Sequence, residues 1–205
     1  MDRVLPDTVK IRVRVGAVNT AYHHGDLRRA LIDAAVEAIG ETGTGALSLR
    51  AVAKRAGVSH AAPAHHFGDK AGLLTAVAAE GFDRFADALE GVWEATGDFA
   101  EVGVAYVRFA IDNRAHFEVM FRPELTHQDD PELRRAAARS GAVLDRGADR
   151  TDTEGDALGY RPAALAAWSL VHGFAELAIA GNFSPEVMAD PEAALREIAR
   201  KLRFD

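Results

Sequence analysis

Cysteine is absent from the 205 residues. That absence excludes a disulfide framework, thiolate metal sites and a Cys nucleophile together, and it suits a reducing cytoplasm. An apolar leader is also lacking: residues 1–16 are broken up by Asp2, Arg3, Asp7, Lys10, Arg12 and Arg14, so secretion is not expected. No P-loop, Gly-x-Ser-x-Gly elbow, His-Glu-x-x-His pair or dinucleotide fingerprint occurs, and the candidate acids have no identifiable partner. An enzyme is therefore not expected, and no cofactor is implied. Repeats and low-complexity tracts are missing, and strand-like alternation does not survive past residue 15.

What is present is ordinary globular composition, 48% hydrophobic and 27% charged, in a chain long enough to bury a core without covalent staples. Residues 163–181 have about the length of a membrane span. They carry His172 and Glu176 and are rich in alanine, which reads as a buried helix and not as a membrane contact. The net charge of −7 is unevenly placed: residues 1–70 hold 10 Lys/Arg against 7 Asp/Glu, a net +3, while residues 71–205 hold 14 against 24, a net −10. A basic head on an acidic body suggests a polyanion partner for the head, although acidic helix faces that merely solvate a larger domain produce the same imbalance.

Helical periodicity predicts an all-α fold. Leu27, Leu31, Ala34, Ala35, Ala38 and Ile39 form one apolar stripe on a first helix that Gly43 can end. Ser48 is placed to cap a second helix running to about Ala56, Gly57 frees the turn, and Ser59 is placed to cap a very short third helix. Asp69 is placed to cap a long fourth helix carrying Leu73, Leu74, Val77, Phe82, Phe85, Leu89 and Trp93. Beyond Thr96-Gly97-Asp98, helices are expected at about 99–113, 115–121, 131–149, 161–181 and 191–203, with Pro131, Pro162 and Pro191 in first turns and a mobile loop over 150–159. The alternating basic and apolar residues 9–15 read either as a loose tail or as a basic arm that tracks DNA.

Three helices within about 45 residues, the last two joined at Gly57-Val58, make a helix-turn-helix. Ala53 must stay small where the helices cross, and Val58 plugs the angle between them. Such a hairpin occurs in DNA-binding and in other proteins. The detail goes further. Residues 22–31 (YHHGDLRRAL), 47–59 (LSLRAVAKRAGVS), 66–70 (HFGDK) and the pair Leu73-Leu74 resemble the N-terminal domain of the TetR family of transcriptional regulators. The resemblance covers residues 22–90, and Trp168-Ser-Leu-Val-His172-Gly173 is similar to the Trp…His-Gly signature of one ligand-binding C-terminal subgroup. Residues 91–160 match nothing specific.

The resemblance implies a cytoplasmic, all-helical homodimer that binds double-stranded DNA at an inverted-repeat operator and leaves it when a small-molecule effector occupies the C-terminal domain. It divides the chain into an N-terminal arm (1–21), a helix-turn-helix domain (22–70) and a ligand-binding and dimerisation bundle (71–205). The family's DNA-contacting positions fall on Arg50, on His60, Ala61, Ala62, His65 and His66, and on Lys70. Arg50 can grip guanine or a phosphate, the histidines can donate to bases or phosphates, and Ala61 and Ala62 permit close approach to thymine methyls. Ser48 and Ser59 act mainly as caps, with phosphate contact second. One departure is Ala64, where the family usually has an aromatic residue; Pro63 also removes a hydrogen bond from the first turn of the third helix. An effector-binding or scaffold protein with a weakened DNA head is the alternative that Ala64 leaves open.

Two side-chain sets remain. The histidines at 23, 24, 60, 65 and 66 lack a Cys or a His-x-x-x-His pair that would complete a metal site, so no metal is expected. Tyr106, Phe109, Phe117, Phe121, Trp168 and His172 are the candidate ligand-binding residues; the aromatics serve equally well as core, and His172 with Glu176 as a satisfied i, i+4 pair.

Overall fold

The computed structural model describes residues 23–148 and 162–201. Every regular element among them is helical: α1 (His23–Ala46), α2 (Leu49–Arg55), α3 (Ala62–Phe67), α4 (Lys70–Thr96), α5 (Phe99–Asp112), α6 (Arg114–Met120), α7 (Pro131–Ala148), α8 (Pro162–Ile179), α9 (Pro185–Ala189) and α10 (Pro191–Lys201), with a 3₁₀ turn at Pro123–Leu125. The arm at 1–21, Tyr22, Leu202 and the segment 150–159 lie outside the described residues.

Local chemistry sets the helix ends. Ser48 accepts from the Ala51 N–H at 3.2 Å, Asp69 from Gly72 at 2.7 Å and Asp98 from Ala100 at 2.9 Å, each satisfying a first-turn donor. Pro131, Pro162 and Pro191 each open a helix. Gly43 breaks α1 with φ 76°, although one more turn follows to Ala46. The short α9 after Ser184 was not expected from the apolar pattern, because five residues are too few to show a period.

Ser59 does not cap α3. That helix starts three residues later behind Ala61 and has no side-chain cap. Pro63 explains the shift: it has no N–H for the Ser59 carbonyl, which instead accepts from Ala62 at 3.0 Å in a tighter i, i+3 turn. The α2–α3 connection is longer than Gly57-Val58 alone, and Gly57 takes φ 69° within it.

α4 is the spine. Its 27 residues span about 40 Å. Near its start Leu73, Leu74 and Val77 pack with Leu31, Ile39, Leu47 and Val52 of the head, and farther along Phe82, Phe85 and Leu89 join the core of the body. α7, α5 and α6 pack directly on α4, α8 and α10 pack on α5, and α6 also touches α1. Two close approaches have no room for a larger residue. A Cβ on Gly81 would lie 2.7 Å from Met120 Sδ and 3.1 Å from His116 Cβ, and one on Gly147 would enter the Phe99 ring.

The expectation of a buried helix at 163–181 holds for one face only. α8 buries Ala164, Phe174, Ala175 and Ala178, but Leu165, Trp168 and Leu177 are exposed on a contiguous face with Ser169, Gly173 and Glu176. The cause is geometric, since α5, α7 and α10 pack on α8 and no described helix covers the face that carries Leu165 and Leu177. By length and composition α8 could also cross a membrane.

Candidate functional site

The head presents Arg50, Lys54, His60, Ala61 and His65 on exposed positions of α2, the turn and α3, with Ser48 and Ser59 also exposed. Ala62 and His66 are half-buried, and the rings of His65 and His66 meet edge-on at 5.5 Å. Arg55, by contrast, is tied to Glu37 and Glu41 of α1. α3 is braced from beneath by buried Pro63 and by Phe67, over whose ring Arg28 lies at 5.5 Å. The fold thus brings eight of the nine sequence-chosen head residues to one small unit, six of them exposed and Ala62 and His66 half-buried.

The ninth, Lys70, has a structural partner that sequence spacing could not disclose. Its Nζ donates to the Thr44 carbonyl at 2.8 Å and more weakly to Gly45 at 3.4 Å, closing the end of α1 where carbonyls lack helical partners. Thr44 is clasped from the other side too: its N–H and its hydroxyl both donate to Glu118 Oε1 of α6 at 3.0 Å. A second link joins the same helices. Buried His116 of α6 meets Glu80 of α4 at 3.3 Å, and Glu80 also takes Arg29 of α1 at 2.8 Å. The His116 hydrogen bond, aided by Arg29, holds the Glu80 carboxyl below its ordinary range against the opposing effect of burial. α1, α4 and α6 are therefore cross-tied at two points.

Below this junction the body holds a partly open cavity of about 950 Å³ between α4, α5, α7, α8 and α10. Phe82, Phe85, Leu89, Phe99, Tyr106, Phe121, Leu144, Trp168, Val171 and Leu195 form much of its wall. Of the six ligand candidates, Tyr106, Phe121 and Trp168 line it. Phe109 and Phe117 do not; they are 6% and 2% exposed and pack behind the wall as core. His172 stands behind as well, with Nδ1 2.7 Å from the Tyr106 hydroxyl. Sequence reasoning missed Phe82, Phe85, Leu89 and Phe99, whose apolar spacing marks them as inward-facing but cannot tell core from cavity.

A helix-turn-helix head, carried on a long helix into a helical body that holds a mostly apolar cavity, defines a class of regulatory protein. The comparisons specify it. A sequence model of bacterial regulatory proteins of the tetR family matches residues 31–77, and one of tetracyclin repressor-like C-terminal domains matches residues 99–202. The chain belongs to the TetR family.

Among similar solved structures, a protein of unknown function from Rhodococcus sp. RHA1 is 33% identical, with 87% of this chain and 98% of that one aligned at a TM-score of 0.66. LfrR from Mycobacterium smegmatis, solved in complex with proflavine, shares the fold at 20% identity, 83% and 95% coverage and a TM-score of 0.60. The HTH-type transcriptional regulator BetI of Paraburkholderia phytofirmans is 40% identical over 72 residues, 35% of this chain and 33% of BetI. This chain spans only about a third of that curated relative, and about a quarter of BetI from Rhizobium meliloti.

Proposed function

We propose that this protein is a cytoplasmic transcriptional repressor that binds an inverted-repeat operator as a homodimer and is released when a small molecule enters the cavity. One observation carries the reading: the helix that opens at the candidate DNA-facing residue Lys70 is the same helix that walls the cavity through Phe82, Phe85 and Leu89. The head (22–70) contacts DNA through Arg50, His60, Ala61, Ala62, His65, His66 and Lys70, assisted by Ser48 and Ser59 at helix ends. The body (71–205) holds the effector against Tyr106, Phe121 and Trp168, with Phe109, Phe117 and His172 supporting that wall from behind.

A ligand that displaces Phe121 moves the end of α6. Through Glu118, α6 pulls on Thr44, and Thr44 is the group that holds Lys70. The head therefore tilts as a unit, and two heads joined in a dimer lose their match to half-sites one DNA turn apart. The open face of α8, with Leu165 and Leu177, supplies apolar area for a second copy. α10 adds less than its apolar pattern suggests, because Leu195 is 2% exposed within its own chain and Arg196 binds Glu101 of α5 at 2.7 Å. Selection of bound duplexes from a random pool tests the reading: a palindromic consensus supports it, and no enriched sequence rejects it.

A further inference from the structure

Among the described residues, the cavity wall contains no Lys, Arg, Asp, Glu or His. Its polar side chains are Tyr106, Ser140 and Trp168, and each has already placed its hydrogen. Ser140 donates to the Ala137 carbonyl at 2.8 Å, and Trp168 Nε1 donates to the Tyr106 oxygen at 3.4 Å. Tyr106 itself donates to His172 Nδ1 at 2.7 Å. That direction follows from the partners, since Glu176 Oε1 stands 4.0 Å from His172 Nε2 and favours the tautomer with its hydrogen there, leaving Nδ1 bare.

Burial keeps both groups in the required state. It pushes the Tyr106 phenol up, so that the hydroxyl retains its hydrogen, and it pulls His172 down towards the neutral ring.

The phenolic oxygen is an acceptor as well as a donor, and the Trp168 N–H reaches it only at 3.4 Å, the long end of hydrogen-bond range, so a shorter donor can take that place. From this geometry we infer that the cavity selects an uncharged, largely aromatic ligand carrying a hydroxyl or N–H group that donates to Tyr106. This inference rests on the cavity being the effector site. Among the described wall residues an anion finds neither a cation nor an uncommitted side-chain hydrogen. A cation finds aromatic faces but no carboxylate among the described wall residues, and must leave water to reach them. An ether or ketone can pack against the rings, yet has no hydrogen to offer the Tyr106 oxygen.

Four biphenyl probes of one shape separate these cases: 4-phenylphenol, 4-methoxybiphenyl, biphenyl-4-carboxylate and a biphenyl bearing a trimethylammonium group. Calorimetric titration of the full chain, without DNA, is expected to rank the phenol tightest. The methyl ether should fall about fivefold to tenfold below it, the loss expected for one net hydrogen bond, and the two ions further still. In Tyr106→Phe the gap between phenol and ether should close. In His172→Leu the Tyr106 hydrogen is released, and the ether should gain on the phenol. Equal or tighter binding of the ether by the unaltered protein, or preference for either ion, overturns the inference and leaves the cavity as an effector site of other chemistry. Failure of all four probes to bind overturns the cavity assignment and the inference with it.

Discussion

Two glycines on one helix give a prediction in which the same substitution has opposite signs. Gly81 and Gly91 both lie in α4. Replacing a helical Gly by Ala lowers the backbone entropy of the unfolded chain and favours the helix by about 0.5–1 kcal/mol. At Gly91 nothing lies within 4 Å of the added methyl, so Gly91→Ala should stabilise by that amount.

At Gly81 the methyl would sit 2.7 Å from Met120 Sδ, 2.9 Å from Met120 Cγ and 3.1 Å from His116 Cβ. The Met120 tip can rotate away. His116 Cβ cannot, because it is part of α6 and its ring is buried at 3% exposure against Glu80. α6 must therefore back off by several tenths of an ångström to reach ordinary contact, at an overpacking cost of about 1–3 kcal/mol. Less the propensity gain, Gly81→Ala should destabilise by about 0.5–2 kcal/mol. Urea unfolding followed by circular dichroism measures both. Equal stabilisation by the two substitutions would refute the claim that α4 and α6 are in backbone-close contact at Gly81.

Four further outcomes are expected. Glu118→Ala should cost about 1–3 kcal/mol in the same assay, because it leaves the buried Thr44 N–H without its acceptor. Lys70→Ala should lower both the melting temperature and operator affinity, whereas Arg50→Ala, which caps nothing, should lower affinity alone; equal melting temperatures for the two variants would contradict the Thr44 clasp. The Asp69 carboxyl is held below its ordinary value by the Gly72 N–H and then by His127, so the stability it confers is complete above about pH 4 and is lost as pH falls through its depressed folded value. Asp69→Asn should flatten that acid limb of a pH-dependent melting curve. Leu177→Glu on the open face of α8 should yield a monomer by analytical ultracentrifugation without loss of helix signal.

Much of the head was legible because its determinants are local. The stripe from Leu27 to Ile39, the caps at Ser48 and Asp69 and the first-turn prolines act within a turn or two of the residues they control. Lys70 was different. Its role as a clasp on Thr44 depends on a contact 26 positions away that no spacing rule encodes. The cavity failed for a related reason. α5 buries Val102, Val104, Ala105, Tyr106, Val107, Phe109 and Ala110, residues pointing in most directions, so its sequence marks burial without marking which side stays empty. Phe117 and Phe121 lie one turn apart on and just beyond α6, yet only the second meets the cavity. α8 shows the converse: apolar composition alone cannot tell a helix covered by its own chain from one that leaves a face for another.

The central claim is that cavity and head are coupled through α4 and the Thr44 clasp. Fluorescence-anisotropy titration of the selected operator, with and without saturating 4-phenylphenol, tests it most directly. A coupling of about 1–3 kcal/mol predicts operator affinity reduced about 5- to 150-fold, and by linkage a matching loss of phenol affinity on the DNA-bound protein. Calorimetrically bound phenol that leaves operator affinity unchanged would contradict it.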